Sequence, residues 1–443
     1  MIRGMATNSY DAIVIGGGPG GSAAATYLAR AGRRVLLLEK ETFPRFHIGE
    51  SLLPYNRAIF EEMGVLPKLE AAGLLKKYGA QFHLSTGAKA LFLVFRNGRF
   101  TRDTEAFQVE RAPFEHLLLR HARESGAEAR EGWVVGRVTT GADSVQVEAR
   151  APDGATHTFQ ASFLIDASGR NNLTGNQEGL REIHPTLKKM AVFGHFAGVA
   201  LDEGRQAGDT LIVRLENKWF WLIPLSLEKV SVGCVLDREE LARAEESPEE
   251  LFKRLWQSSP VLRARMKDAR LLGEMHTASD FSYHNRRLVG PRLLRVGDAA
   301  GFMDPIFSAG VYLAMFSGKL AAELVTAALA AGDDGARRLR RYEQRVRQAM
   351  NCYWEIVEHY YTPAFLEVFL EPRDNFSMPA AVTALLAGEL EARWAIRWRI
   401  RLFYWLVKLQ ARWPLVPRIS WNEPVDGVKP DRITSRIGQA EKV

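Results

Sequence analysis

The stretch AIVIGGGPGG, residues 12–21, decides the fold of this chain. Its apolar start predicts a buried strand, residues 23–31 favour a helix, and the apolar run at residues 35–38 predicts a second strand that ends at Glu39. Such a unit binds a dinucleotide, because backbone amides in the turn approach a pyrophosphate and the terminal acid accepts ribose hydroxyls. The glycines with the G-x-G-x-x-G spacing are Gly16, Gly18 and Gly21.

Two motifs further along the chain indicate which dinucleotide is bound. Residues 219–224 read WFWLIP, and residues 302–310 read FMDPIFSAG. The patterns W-x-W-x-I-P and F-x-x-P-x-x-S-x-G, together with the glycine turn, resemble the FAD-dependent halogenases. This family lies within the geranylgeranyl-reductase and aromatic-hydroxylase-like flavoproteins. The resemblance runs from about residue 10 to about residue 361. In size the chain is closer to members that act on phenols or carrier-tethered pyrroles than to the longer tryptophan halogenases.

The resemblance implies FAD as the cofactor. Asp298, after an apolar strand, matches the aspartate that bonds the ribityl chain, and Arg111 matches the arginine that packs on FAD. Residues 164–170, LIDASGR, match another segment on the dinucleotide side. No second dinucleotide fingerprint is visible, so we expect FADH2 to be supplied by a separate NAD(P)H flavin reductase. The residues expected to contact FAD are Gly16, Gly18, Gly21, Glu39, Lys40, Arg45, Ile48, Gly49, Ser51, Arg111, Val135, Asp298, Gly310 and Val311.

The predicted fold class is α/β, with a Rossmann-like FAD-binding domain of the aromatic hydroxylase type. Alternating apolar residues between positions 183 and 272 predict an inserted antiparallel sheet that covers the flavin. We therefore expect residues 1–185 and 273–345 to form the FAD-binding domain and residues 186–272 the substrate sheet. Residues 346–443 are expected to form a C-terminal helical region.

The tryptophan motif has two interpretations. In a strand, Trp219, Trp221 and Ile223 share one face, and the pattern by itself indicates only a buried strand ended by Pro224. In a flavoprotein the indoles would fill the space through which an organic substrate reaches the flavin. We therefore expect Trp219, Trp221 and Pro224 to block the cavity.

The serine turn suggests an anion site. Ser308, Ala309 and Gly310 begin a predicted helix, and the free amides at such a turn can bind chloride or bromide beside the flavin. The alternative is that the turn holds only flavin carbonyl oxygens, as in related hydroxylases. Many halogenases have Ser-Ser-Gly here, so Ala309 removes one hydroxyl and leaves the backbone donors in place.

The candidate catalytic residue is Lys77. The stretch GLLKKYGAQF, residues 73–82, resembles the family segment whose second lysine is essential. A lysine amine can hold hypohalous acid or carry the halogen as a haloamine. The position between a helix and a strand favours Lys77 as the inward residue and Lys76 as a surface lysine. Residues 45–51, RFHIGES, match a family loop near the flavin, in which His47 is assigned no proton transfer.

The net charge of +7 comes from one C-terminal segment. Residues 392–422 hold seven basic and no acidic residues, with five of the ten tryptophans, and the rest of the chain is neutral overall. General nucleic-acid binding is therefore excluded. We favour a helix packed on the protein over a peripheral membrane contact through residues 393–418. The residues predicted to share one helical face are Ile396, Ile400, Phe403 and Val407.

The remaining features fit a cytoplasmic enzyme. Cys234 and Cys352 are too few for a disulfide scaffold or zinc site, and no metal-ligand spacing stands out. The first ten residues lack the apolar run of a signal peptide. No apolar stretch is expected to provide the roughly 18 residues that cross a bilayer.

The sequence thus predicts FADH2-, O2- and halide-dependent halogenation of an electron-rich aromatic. The expected substrate is a phenol or pyrrole, free or tethered to an acyl or peptidyl carrier protein. One alternative is an FAD-dependent reductase or hydroxylase of the geranylgeranyl-reductase-like type acting on a lipid or polyketide-like substrate. Another is a membrane-surface flavoprotein that serves mainly as a binding module.

Overall fold

The computed structural model describes residues 9–279, 282–373, 376–390 and 394–421. The strands, in chain order, are β1 (Ser9–Ile15), β2 (Val35–Leu38), β3 (Leu75–Lys77), β4 (Gly79–Leu84), β5 (Ala90–Val94), β6 (Ala106–Gln108), β7 (Glu128–Arg130), β8 (Val134–Thr140), β9 (Val145–Arg150), β10 (Thr156–Asp166), β11 (Arg181–Ile183), β12 (Lys189–Ala197), β13 (Thr210–Arg214), β14 (Trp219–Pro224), β15 (Val230–Asp237), β16 (Arg270–Ser279), β17 (Tyr283–Asn285), β18 (Val289–Gly290), β19 (Leu293–Arg295) and β20 (Gly301–Phe302). The helices are α1 (Pro19–Arg30), α2 (Asn56–Met63), α3 (Leu66–Ala71), α4 (Arg111–Glu124), α5 (Leu173–Gln177), α6 (Arg238–Arg243), α7 (Pro248–Ser258), α8 (Pro260–Met266), α9 (Gly310–Ala331), α10 (Ala336–Tyr360), α11 (Pro363–Phe369), α12 (Met378–Ala387) and α13 (Trp394–Arg412).

The first sheet confirms the predicted dinucleotide-binding unit. Its strand order is β18-β19-β10-β1-β2-β7, with β9 paired to β10 and β8 to β9. β1 lies parallel to both β10 and β2. The apolar runs of β1 and β2 are buried because α1 packs on one face of these strands, while the other face belongs to a cluster with apolar residues of β8, β9 and β10. Helices α1 and α9 pack closely, since a Cβ on Gly318 would lie only 2.4 Å from the carbonyl oxygen of Gly20.

The second large sheet lies over the site with the order β16-β12-β15-β14-β13-β4-β5. Its pairs are antiparallel except β4 with β13, which run parallel. The sheet takes β4 and β5 from the chain before residue 186, and β16 runs to Ser279. The division of the chain at residues 185, 272 and 345 therefore stays a prediction, while the α/β class with a covering sheet is confirmed.

Helices form the C-terminal part of the described chain. α10 packs on α9 and α11, and α13 packs on α11 and α12. Arg393, which the predicted helix included, lies outside the described residues. One helix among the described residues, α9, is long and apolar enough to cross a membrane, so the expectation that no apolar stretch has this length was wrong. Half of that apolar window is buried inside the protein, as expected of a helix packed against α1.

Candidate functional site

A cavity of about 580 Å³ lies between the ends of β1 and β2, the starts of α1 and α9, and the inner face of the second sheet. This volume is in the range of cofactor sites. Of the predicted cofactor, halide and cavity-blocking residues, all but Gly21 and Pro224 line its wall. Gly21 sits behind Gly16, where a Cβ would meet the Gly16 carbonyl oxygen at 1.9 Å. Pro224 is buried at the end of β14.

The glycine turn fits a pyrophosphate at the start of α1. Gly16 has a φ of +99°, and a Cβ there would lie 2.3 Å from the carbonyl oxygen of Ala167, so only glycine is accommodated. Gly18 faces open space, because a Cβ on it would meet nothing within 4 Å. Glu39, 3% exposed, accepts hydrogen bonds from the Gly17 amide (2.6 Å) and the Glu41 amide (2.9 Å). Its carboxylate has further acceptor sites for a ribose.

Arg111 holds the loop of residues 45–51 against the cavity. Its Nη1 donates to the carbonyl oxygens of Ile48 (2.8 Å) and Gly49 (3.0 Å), while Nη2 pairs with Glu115. Arg45 reaches the same carboxylate at 3.1 Å. The buried Nε of Arg111 has no hydrogen-bond partner in the protein, and that of Arg45 has only a long ion-pair contact with Glu41 Oε2 at 3.6 Å. These donors lie at a wall suited to a cofactor with phosphate and carbonyl oxygens.

The start of α9 presents free amides to the cavity. Ser308 adopts a φ of +57°, no side chain caps the helix, and a Cβ on Gly310 would meet nothing within 4 Å. Unpaired amides at a helix start attract anionic or carbonyl oxygens and halides. Nearby, burial raises the pKa of Asp298 to about 6. The residues present at α1, the arginine loop and α9 thus fit an FAD.

The tryptophan strand β14 is buried along its whole length. Trp219, Trp221 and Ile223 line the cavity, as the alternation predicted, while Phe220 packs on the other side of the sheet against α7. Trp221 fits because its partner on β15 is Gly233, where a Cβ would lie 2.2 Å from the indole. The two indoles, with ring centroids 5.9 Å apart, form a wall between the cavity and the sheet.

A buried network behind Trp219 was not predicted from the sequence. Trp219 Nε1 donates to the hydroxyl of Tyr361 (2.9 Å), which donates to Asp304 Oδ2 (2.6 Å). Asp304 Oδ1 also accepts from the Ile306 amide (3.1 Å), and burial raises the pKa of Asp304 to about 6. The network joins the tryptophan strand, the turn before Ser308 and the end of α10. Asp304 lies inside the F-x-x-P-x-x-S-x-G motif, and this was the one sequence signal for it.

Lys77 is the inward lysine of the pair. It is 2% exposed at the end of β3, whereas Lys76 is exposed and bonded to Glu105 at 3.0 Å. Lys77 Nζ donates to Ser51 Oγ (2.9 Å) and to the Leu52 carbonyl oxygen (3.3 Å). Lys77 does not line the cavity itself; its amine is bonded to Ser51, which does.

The environment of Lys77 includes groups that sequence patterns did not single out. Burial lowers the pKa of Lys77 to about 8, although the nearby Asp209 carboxylate opposes the shift. Burial also raises the pKa of Asp209 to about 6. Ser51 Oγ lies 2.9 Å from Thr210 Oγ1 on β13. On the other side of Ser51, Glu50 lies on the cavity wall with Oε1 2.8 Å from His195 Nε2.

The residues around the cavity are of the kinds that bind an organic cofactor. Within residues 9–279, 282–373, 376–390 and 394–421, no group of three or more His, Cys, Asp and Glu is placed to hold a metal ion. The walls combine glycine turns, helix starts, arginines and indoles. This arrangement can bind a dinucleotide and accept a small anion at α9, and a hydrogen bond joins Ser51 on the cavity wall to the buried amine of Lys77.

Known proteins with similar sequence and structure agree with this chemistry. Residues 9–355 match the FAD binding domain family. The chain is 31% identical to the 1H-pyrrole-2-carbonyl-(peptidyl-carrier protein) chlorinase of Pseudomonas fluorescens, over 81% of this chain and 84% of that protein. It is 35% identical to the tryptophan 2-halogenase of Chondromyces crocatus, over 79% of this chain and 67% of that protein. The flavin-dependent brominase Bmp2 has a similar structure, with a TM-score of 0.80, 29% identity and coverage of 91% of this chain and 100% of that one.

Proposed function

The chain belongs to the flavin-dependent halogenases of the FAD binding domain family, and we propose that it halogenates an electron-rich aromatic of the phenol or pyrrole type through Lys77. FAD and chloride or bromide are the cofactor and halide of this family. The observation that carries the proposal is the buried amine of Lys77, bonded 2.9 Å from Ser51 Oγ on the cavity wall.

We assign different residues of the cavity to different steps of the reaction. When bound, reduced FAD would supply one electron pair to O2 and the halide a second pair, which together give hypohalous acid, water and oxidised FAD. The amides at the start of α9 hold the halide, and Trp219 and Trp221 keep the organic substrate away from this compartment. Ser51 then connects the cavity to Lys77. Separate compartments for oxidation and substitution are the physical reason for a tryptophan wall.

Lys77 delivers the halogen in one of two ways. As an ammonium it donates a hydrogen bond to hypohalous acid and makes the halogen more electrophilic. As a neutral amine it attacks the halogen, so that an N–halogen bond forms and water leaves; the aromatic carbon then takes the halogen, loses its proton and restores the amine. The pKa of about 8 leaves roughly a tenth of the lysine neutral at pH 7, which supports the second route.

We also propose a class of substrate and a partner protein. The 31% identical relative acts, by its name, on a pyrrole held by a peptidyl carrier protein, which supports a carrier-tethered pyrrole or phenol here. Only one dinucleotide-binding unit is present in the described residues. We therefore propose that a separate NAD(P)H-dependent reductase supplies the FADH2.

A matched lysine pair tests the proposal. FAD-loaded protein is assayed with a flavin reductase, halide and two probes, a free phenol and a pyrrole-2-carbonyl carrier protein, with products identified by mass. Lys77→Ala is expected to lose halogenation while a chemical trap still detects hypohalous acid, because the lysine acts after this acid forms. Lys76→Ala is expected to keep halogenation. A hydroxylated or reduced product without halogen would instead support the hydroxylase or reductase alternative.

A further inference from the structure

The outward side of α13 carries aromatic side chains that no other described residue covers. Trp394 is 79% exposed and Trp405 is 55% exposed. The partly exposed Trp398 lies on the same side, since positions 394, 398 and 405 are one and three helical turns apart. Phe376, 68% exposed, lies beside Trp398 with ring centroids 6.2 Å apart, and Trp413 after the helix is 60% exposed. Indoles are seldom left this exposed in folded proteins.

Cations follow the tryptophans along the neighbouring edge of α13. Arg397, Arg401, Lys408 and Arg412 are exposed and four or seven positions apart, so they share one edge of the helix. None of these four forms an ion pair with a described carboxylate, and residues 394–421 contain no acidic residue. The outward side of α13 is therefore both apolar and strongly positive.

The inward side of α13 is fixed to the protein. Ile396, Phe403 and Val407 are buried, as the sequence periodicity predicted. Gln410, fully buried, donates from Nε2 to Glu367 Oε2 at 2.6 Å. Rotation of the helix to cover its tryptophans would expose these groups and break a buried hydrogen bond to a charged partner. With respect to the described residues, the exposure of the outward side thus follows from the way the inward side is fixed.

We propose that the outward side of α13, with Phe376 and Trp413, lies on an anionic lipid surface. Indoles and cations together are typical of helices that lie in the membrane interface, where the rings enter the headgroup layer and the cations meet lipid phosphates. A 19-residue helix offers a contact line of about 28 Å. The outward side of a single helix is convex, which suits a fluid layer that deforms around it; a folded partner protein requires matching pockets for each indole.

Vesicle sedimentation of the full-length, FAD-loaded protein tests this inference. Vesicles of phosphatidylcholine and phosphatidylglycerol in equal parts are compared with phosphatidylcholine alone, at low and high salt. The protein is expected to sediment with the mixed vesicles at low salt and to be released as salt screens the attraction. The paired change Arg401→Gln and Lys408→Gln is expected to weaken binding about 25-fold, since each cation contributes about fivefold.

Exposed residues provide clean variants and a control. Trp394→Ser with Trp405→Ser is expected to weaken binding by about tenfold or more through lost apolar burial, with circular dichroism and FAD content unchanged. Leu227→Ser, at a 71% exposed apolar residue in the turn after β14, is the matched control and is expected to bind like the unchanged protein.

The outcome is independent of the proposed halogenation, because sedimentation needs no turnover. Absence of binding to mixed vesicles at low salt would overturn the inference. Binding that survives both α13 variants would also overturn it, because another surface would then be responsible. Binding of an acidic carrier protein through the same residues, without vesicle binding, would reassign this surface to protein docking.

Discussion

Replacement of Lys77 by methionine is expected to remove a cost to stability that depends on pH. Burial lowers the pKa of Lys77 from its ordinary 10.5 to about 8. A shift of this size corresponds to about 3 kcal/mol. Because the unfolded chain binds the proton more tightly than the folded one, the free energy of unfolding rises with pH between about 8 and 10.5, and below pH 8 the buried ammonium costs the full amount.

The predicted quantity is the change, between two pH values, in the effect of Lys77→Met on the free energy of unfolding. The free energy of unfolding of the Lys77→Met variant, taken relative to that of the unchanged protein, should be about 3 kcal/mol higher at pH 7 than at about pH 11. Effects that do not depend on pH, such as the change in side-chain packing, cancel in this comparison. Urea unfolding of FAD-saturated protein, followed by circular dichroism, gives the required free energies.

Two further variants make the measurement specific. Lys76→Met replaces the neighbouring exposed lysine and is the matched control for Lys77→Met. In an Asp209→Asn background the pKa of Lys77 falls further, because the Asp209 charge raises it, and the pH-dependent difference should grow. An equal effect of Lys77→Met at both pH values would refute the account of Lys77 as a desolvated amine.

Two other changes probe the cofactor turn and the network behind Trp219. Gly18→Val should fold normally by circular dichroism but lose FAD absorbance, because a Cβ at this position meets no protein atom within 4 Å and the side chain would enter the space assigned to the pyrophosphate; full FAD affinity would contradict that assignment. Tyr361→Phe should lower the free energy of unfolding by about 1–3 kcal/mol, since Trp219 Nε1 and Asp304 Oδ2 lose a buried partner; an unchanged urea midpoint would show that the network carries no stability.

The sequence predicted the parts of the site that depend on local pattern. The unit of β1, α1 and β2 follows from two apolar runs around a glycine turn. The structure has a strand at each of these runs and a helix after the turn. The cavity-facing side of β14 follows from the two-residue alternation of a strand. The inward position of Lys77 follows from its place between α3 and β4. In each case neighbouring residues alone fix the direction of the side chain.

The features that the sequence did not predict depend on contacts between distant parts of the chain. Asp209 meets Tyr78 across 131 positions, and Tyr361 meets Trp219 across 142. Neither partner carries a local motif that indicates the other. On α13 the predicted apolar face is buried at Ile396, Phe403 and Val407 and partly buried at Ile400. The expectation of a simply packed helix missed the exposed indoles of the opposite side. Periodicity identifies a face, and only the tertiary structure determines whether a second face is also covered.

The parallel pairing of β4 with β13 has a consequence for how the enzyme is made. The strand just after Lys77 cannot take its place until β13 has left the ribosome, more than a hundred residues later. Such non-local closure is slow compared with helix or hairpin formation. During synthesis the apolar faces of β4 and β5 therefore stay exposed until β13 has been made. We expect chaperone binding or aggregation to involve these two strands. Lys77, the proposed catalytic residue, thus lies next to a strand that joins its sheet late in the assembly of the fold.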